Sequence, residues 1–155
     1  MTIKHSLPPV PEIGWICNCD WDDGKGNDCL RPVLIMQIIP GEKAKTYVIA
    51  IYGTSKKLDR IYPNDLVAKK TDHPGMNLAK DTKFVFDQFT YFEWSSNRFG
   101  RNGIGRNAYR GSASPEWMQE ADQKYKNAIA STKQRQRTAS INPPLPSNTD
   151  VSSEA

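Results

Sequence analysis

The chain has 155 residues, of which 37% are hydrophobic, enough for one modest core but not for two ordinary domains plus its polar C-terminal segment. Its formal net charge of +4 permits an anionic partner. No stretch approaches the apolar length that spans a bilayer, and residues 1–11 lack the apolar segment of a secretory signal. These features argue against membrane-spanning and secreted proteins, and we expect a soluble, cytoplasmic protein with an extended arm over residues 1–11 and one domain over residues 12–130.

The first predicted strand is Gly14–Trp21, in which Trp15, Cys17, Cys19 and Trp21 alternate with other residues. The sequence contains three cysteines, which makes a disulfide framework improbable without a secretion signal. A Cys-x-Cys pair with two distant histidines also lacks the paired ligand spacing of structural zinc sites. We therefore expect buried, reduced thiols, no metal site and no cofactor.

A polar loop with two glycines, Asp22–Asp28, follows this strand and contains Lys25. Such a loop suits a mobile flap beside the next strand, with Trp21 at its edge, but a plain hairpin loop has the same composition. Both interpretations remain open.

Two apolar runs, Pro32–Ile39 and Thr46–Tyr52, lie on either side of the turn signal at Pro40 and Gly41. Both are rich in Val, Ile and Tyr and too short for ordinary helices, so they predict strands that are buried on both faces. A turn between them makes an antiparallel hairpin.

Polar residues flank this hairpin at its open end. Arg31 precedes the first strand, and Thr54 and Ser55 end the second. In an antiparallel pair these ends lie side by side, so a guanidinium and two hydroxyls converge on one small area. The sequence therefore predicts a site of the size and charge of a phosphate group, followed by a basic connection that contains Lys56 and Lys57.

Further strands are predicted at Asp65–Ala68, Lys83–Phe86 and Phe89–Trp94, the last two meeting at Asp87 and Gln88. Together with the three strands before them, they give about six short strands. This spacing is typical of a small all-β barrel or sandwich, and we expect a compact barrel.

Residues 97–113 form a loop rich in arginine, glycine and asparagine. It contains no acidic residue, two aromatic residues, Phe99 and Tyr109, and four arginines. The arginines are Arg98, Arg101, Arg106 and Arg110. Arginines and aromatics on a flexible loop suit contact with a nucleic-acid backbone and stacked bases, whereas a solvated loop with glycine turns explains them equally well.

An amphipathic helix is predicted over residues 115–130, with Ser114 as N-cap and Pro115 in the first turn. Its apolar stripe caps the barrel and consists of Trp117, Ala121, Tyr125, Ala128 and Ile129. Residues 131–155 have no aromatics and many Ser, Thr, Asn and Pro residues, which predicts a disordered tail.

The order of these motifs resembles the PemK/MazF family of toxin endoribonucleases. The resemblance is carried by Gly14–Trp21, by Arg-Pro-Val-Leu-Ile at 31–35, by Ile-Tyr-Gly-Thr-Ser at 51–55 and by Gly75–Gln88. It covers residues 12–95. Two features depart from the family pattern, namely Trp15 in place of an acidic residue after Gly14, and the arginine-rich stretch with its long tail.

The resemblance implies a Src-homology-3-like barrel with a C-terminal helix, usually a homodimer, that cleaves single-stranded RNA and is neutralised by an antitoxin. It also implies that Arg31 and Thr54, helped by Ser55, are catalytic in a metal-independent reaction. Trp21, Lys25, Lys56 and Lys57 then join the four arginines of the loop as RNA-binding candidates.

Structural roles also account for the same residues. Arg31 fits a strand-end arginine paired with Asp23 or Asp28, and Thr54 fits a turn hydroxyl bonded to its own backbone. The corresponding alternative function is a non-catalytic barrel, as in a mobile element or phage, that binds RNA or a partner protein. A module that recognises a peptide in its groove is a third possibility.

Overall fold

The computed structural model describes residues 10–22, 28–95, 98–99 and 108–141, except for the side chains of 20–22, 28–30 and 133–141. One antiparallel sheet curls into a half-barrel with a single helix after it. The strands are β1 (Trp15–Asp22), β2 (Asp28–Pro40), β3 (Thr46–Thr54), β4 (Asp65–Ala68), β5 (Thr82–Glu93) and β6 (Tyr109–Ser112), and the helix is α1 (Pro115–Ile141). Their order in the sheet is β4-β5-β3-β2-β1-β6, which confirms the mainly β prediction.

The central strands are buried on both faces, as the apolar runs predict. One face of the sheet packs against α1 in what we call the helix-side core, which includes Leu34, Ile51 and Phe84. The other face packs in a second core, which includes Val33 and Ile35. Because neighbouring residues of a strand point to opposite faces, the continuous run of β2 supplies both cores.

Two bulges change which residues face each core. Between β2 and β3, Ile35 pairs with Ala50 but Gln37 pairs with Ile49, so β2 carries one extra residue. Before this bulge the even-numbered Leu34 faces the helix-side core, and after it the odd-numbered Ile39 does. A bulge thus moves the following side chains to the other face.

The second bulge lies in β5 and corrects the prediction of two separate strands there. Tyr52 pairs with Val85 but the preceding Ile51 pairs with Phe89, so three residues of β5 have no partner on β3. Asn64 fastens this bulge, because its carbonyl oxygen accepts the backbone N–H of Phe86 and its side-chain amide donates to Asp87 Oδ1. Asp87 and Gln88 are exposed because they bulge outwards, and the strand continues past them.

Helix α1 begins as predicted. The hydroxyl oxygen of Ser114 accepts the backbone N–H of Trp117 at 3.2 Å, which satisfies a donor that the first helical turn leaves unpaired. The predicted stripe is confirmed: four of its residues are buried in the helix-side core and Ile129 packs against it. No described helix is long and apolar enough to cross a membrane.

The end of α1 differs from the prediction. The helix reaches Ile141, so residues 131–141 are helical rather than part of a disordered tail. This segment contains Lys, Gln, Arg and Ala, which favour helix, and neither Gly nor Pro interrupts the chain between Pro115 and Pro143. Residues 142–155 lie outside the described part of the chain, as do residues 1–9 of the predicted arm.

Candidate functional site

The register of β2 and β3 brings Arg31 and Thr54 together. Val33 pairs with Tyr52 in this antiparallel ladder. Each step towards the open end moves one residue back along β2 and one residue forward along β3. Two steps beyond the last pair, the same register places Arg31 opposite Thr54.

Gly53 allows the strands to approach closely just before Thr54. A Cβ atom at this position would lie 2.7 Å from the carbonyl oxygen of Pro32 and 2.9 Å from a ring carbon of Phe84. Both distances are shorter than real Cβ contacts, and the first involves backbone. Glycine therefore keeps Thr54 close to the strand that carries Arg31.

A pocket of about 160 Å³ opens at this point, and Arg31, Thr54 and Ser55 line it, as the hairpin predicts. Arg110 and Lys80 add two more cationic side chains, and Thr82 adds a hydroxyl group. None of the described residues that line it is acidic. Its described lining therefore suits an anion, since it contributes three basic side chains and no carboxylate.

The guanidinium of Arg31 is held by packing. Its Cζ lies 5.3 Å from the centroid of the Tyr52 ring, which is a cation–π distance. Its Nε is buried and has no hydrogen-bond partner in the described part of the chain. Asp23 and the side chain of Asp28, the structural partners suggested for Arg31, lie outside the described residues. A buried donor without a partner is costly unless a ligand or water completes it.

Thr54 is buried, with 9% of its surface exposed, and its hydroxyl oxygen accepts the backbone N–H of Lys56 at 3.1 Å. This is the turn contact that a structural role predicts. A hydroxyl oxygen can accept while its own proton is donated elsewhere. The contact therefore fixes the Thr54 side chain in the pocket and leaves its proton for a ligand.

Lys56 and Lys57 are exposed on the loop that follows Thr54. The buried Lys83 holds this loop through two hydrogen bonds. Its Nζ donates to the backbone carbonyl oxygens of Lys57 at 3.1 Å and Arg60 at 2.7 Å. The same ammonium lies 3.7 Å from Asp65 Oδ2. The loop therefore holds its two exposed lysines beside the pocket.

Arg110 lies in the pocket, on β6, rather than on a flexible loop as its composition suggested. Its Nε donates to the backbone oxygen of Asn77 at 3.2 Å, and the side-chain amide of Asn77 donates back to the Arg110 carbonyl oxygen at 3.3 Å. No sequence signal marks Lys80 and Thr82 as residues of the Arg31 pocket, or Asn77 as a partner of Arg110. The chain brings them there through the fold.

The structure does not place Arg98 in the pocket. Its guanidinium packs over the Phe92 ring at 4.4 Å. Phe99 next to it is only 1% exposed and packs in the second core, so it is not a surface for stacking bases, unlike the prediction. Lys25, Arg101, Arg106 and the side chain of Trp21 lie outside the described residues.

Cys17 and Cys19 are buried in the second core without a disulfide bond, as predicted, and Trp15 packs against that core. The pKa of the Cys17 thiol is raised well above its ordinary value, mainly by burial and to a smaller extent by the charge of the neighbouring Cys19 thiolate. The thiol is therefore protonated at neutral pH. Among the described residues, no three His, Cys, Asp or Glu side chains cluster closely enough to hold a metal ion.

No protein-family model matches the chain, and no curated protein matches it. Solved structures do. An endoribonuclease from mycobacterial species is 16% identical, with a TM-score of 0.50 over 78% of this chain and 92% of that chain. An endoribonuclease in complex with its cognate antitoxin, also mycobacterial, is 18% identical, with a TM-score of 0.51 over 78% of this chain and 96% of that chain. At these identities the likeness establishes a shared fold.

Proposed function

We propose that this protein is a metal-independent endoribonuclease that cleaves single-stranded RNA, and that it acts as the toxin of a type II toxin–antitoxin system. The observation that carries the proposal is the pairing of Arg31 with Thr54 in a pocket whose described lining includes three basic residues and no acidic one. The likeness of the fold to mycobacterial endoribonucleases supports it.

The reaction needs a group that stabilises negative charge on a phosphate. The ribose 2′-oxygen attacks the adjacent phosphorus, the O2′–P bond forms and the P–O5′ bond breaks. The 2′-hydroxyl loses a proton and the departing 5′-oxygen gains one, which leaves a 2′,3′-cyclic phosphate and a 5′-hydroxyl end. Charge on the non-bridging oxygens increases on the way, and fixed donors aimed at them lower the barrier.

Arg31 and Thr54 supply such donors. The guanidinium is a permanent cation with forked donors, which makes it a poor proton donor but a good partner for phosphate oxygens. The Thr54 hydroxyl, fixed by its contact with Lys56, donates to a second oxygen and holds the reacting geometry. Ser55 at the pocket edge assists it.

The surroundings of the pocket suit a nucleic-acid strand. Lys56 and Lys57 are exposed beside it and contact neighbouring phosphates in this proposal. We also propose that Trp21, Lys25 and the arginines of residues 97–113 contribute to RNA binding, that the protein forms a homodimer, and that an antitoxin protein neutralises it. One structural neighbour is in complex with its cognate antitoxin, which supports the last point.

The test is incubation of the purified protein with single-stranded RNA in the presence of a chelator, followed by mapping of the new 5′ ends. The wild type should produce 5′-hydroxyl ends at a recurring short sequence. Arg31→Ala and Thr54→Ala should each lower kcat by about 10²-fold to 10³-fold, the usual effect of removing one donor to a developing oxyanion. Lys126→Ala is the matched control, because Lys126 lies on α1, outside the lining of the pocket, and forms an exposed salt bridge with Asp122.

Absence of cleavage by the wild type, or unchanged cleavage by Arg31→Ala, would overturn the proposal. RNA binding without cleavage, sensitive to salt and indifferent to Thr54→Ala, would instead identify a non-catalytic RNA-binding barrel.

A further inference from the structure

A second guanidinium lies in the pocket that contains Arg31. Arg110 reaches it from β6, at the opposite edge of the sheet from β4. Besides its bond to the Asn77 carbonyl, it donates through Nη1 to Asn18 Oδ1 at 3.4 Å. Asn18 is buried on β1 and pairs with Pro32, the residue after Arg31. The side chain of Arg110 is thus tied to the strand that lies beside Arg31.

Asn77 holds the other side of Arg110. It has a left-handed backbone conformation, with φ of 54° and ψ of 44°, and ends the 3-10 turn Pro74–Met76. Asparagine tolerates this conformation better than most residues do. The turn is itself packed tightly on β6, since a Cβ atom on Gly111 would overlap the carbonyl oxygen of Gly75. The reciprocal bonds between Asn77 and Arg110 therefore join two parts of the chain that are already fixed.

The pocket that both arginines line has room for one phosphate group. A cavity of roughly 150 Å³ accommodates a benzene molecule, and this pocket measures about 160 Å³. Arg31 and Arg110 both line this space, so a phosphate that fills it lies next to both residues.

We propose that Arg110 is a second catalytic residue, which binds the same scissile phosphate as Arg31, and that Asn77 is its positioning residue. This inference rests on the proposed function. Arg110 stabilises the negative charge that grows on the non-bridging oxygens while the O2′–P bond forms and the P–O5′ bond breaks. It transfers no proton, because arginine stays charged, so its effect falls on kcat.

The experiment measures kcat and KM for a single-stranded RNA that contains the mapped cleavage sequence. Arg110→Gln should lower kcat by about 10²-fold to 10³-fold and change KM little. Arg110→Lys keeps the charge but loses the planar fork, and should recover only part of the rate. Lys126→Gln removes the same charge from α1 and should match the wild type. Thermal unfolding of each variant verifies that it is folded.

The positioning role has its own readout. Asn77→Gly keeps the left-handed backbone and the backbone oxygen that accepts from Arg110 Nε, but it removes the side-chain amide that donates to the backbone carbonyl oxygen of Arg110. It should lower kcat about three- to tenfold, as expected for the loss of one neutral hydrogen bond. In the Arg110→Gln background the same change should have no further effect, because it acts only through Arg110.

The outcomes separate the two proposals. If the wild type cleaves no RNA, the proposed function fails and the present inference fails with it. If the wild type cleaves RNA and Arg110→Gln retains the full kcat, only the role of Arg110 is overturned. If Asn77→Gly lowers kcat equally in both backgrounds, its effect is not transmitted through Arg110 and the positioning role is wrong.

Discussion

The buried ammonium group of Lys83 donates a hydrogen bond of 2.7 Å to the backbone carbonyl oxygen of Arg60. Lys83 is also the partner of Thr54 in the ladder between β3 and β5. One lysine therefore connects the strand that presents Thr54 with the loop that presents Lys56 and Lys57. The position of that loop depends on a charge that is only 5% exposed.

Replacing Lys83 with methionine should destabilise the fold by about 3–5 kcal/mol, because it leaves the buried Asp65 carboxylate without its cation. Urea unfolding measures the loss. The double variant Lys83→Met/Asp65→Asn should recover part of it, since asparagine keeps an acceptor for the Tyr62 N–H without the charge. If the double variant is no more stable than Lys83→Met, an unpaired carboxylate is not the cause.

Gly53→Ala should lower the free energy of unfolding by about 1–3 kcal/mol, because the added Cβ overlaps the Pro32 carbonyl oxygen and the Phe84 ring. It should also lower RNA cleavage, since Thr54 moves away from Arg31. Gly75→Ala is the matched control, because its Cβ meets only the Ser112 carbonyl oxygen, at 3.4 Å. Equal unfolding midpoints for the two variants would contradict this account of Gly53.

The stability of the protein should fall at alkaline pH partly through Tyr125. Burial raises the pKa of the Tyr125 phenol above its ordinary value. Its hydroxyl group donates to Gln37 Oε1 at 2.8 Å. The unfolded chain therefore loses this proton first, so the contribution is complete below about pH 10 and is lost as pH rises towards the folded-state pKa.

Tyr125→Phe provides the comparison for this pH dependence. At neutral pH its free energy of unfolding should be lower by about 0.5–1.5 kcal/mol, because the hydrogen bond to Gln37 is lost. It should also show a shallower decline of the free energy of unfolding above about pH 10. Parallel stability curves for the two proteins would show that Tyr125 does not titrate as expected.

Cys17 and Cys19 should resist alkylation in the folded protein. Both are completely buried, and the raised pKa of Cys17 keeps its thiol from forming the reactive thiolate. Treatment with iodoacetamide followed by peptide mass spectrometry should show little modification of either residue in buffer and full modification in concentrated urea. Rapid labelling of Cys17 in buffer would mean that the second core opens readily.

Local sequence patterns were sufficient for much of the fold. Alternation predicted β1, the Pro40-Gly41 signal predicted the central hairpin, and the Ser114 cap fixed the start of α1. The ends of helices and strands are harder to predict from the sequence. The composition of a segment is an average, whereas the helix propensity of each residue decides how far a helix continues. The many polar residues after Ser131 suggested disorder, although Lys, Gln and Arg there extend the helix to Ile141.

The candidate site was predictable only where it depends on one hairpin. The turn at Pro40 and Gly41 brings the open ends of β2 and β3 together, and the bulge between Ile35 and Gln37 sets Arg31 opposite Thr54 rather than Ser55. Arg110 and Asn77 are 33 residues apart, and their contact requires the 3-10 turn to pack against β6. Lys80 reaches the pocket for a similar reason. No periodicity in the chain encodes contacts of this kind.

The unpaired residues of β5 have a consequence for sequence change. Before them the even-numbered Phe84 faces the helix-side core, as does Phe86, the first unpaired residue, whereas after them the odd-numbered Phe89 does and Phe92 faces the second core. Deleting one residue at Asp87 or Gln88 would exchange these faces for the rest of the strand. Although both residues are exposed, we expect this site to tolerate insertions or deletions of two residues but not of one. An even change in length keeps the following side chains on their faces of the sheet, whereas an odd change exchanges them.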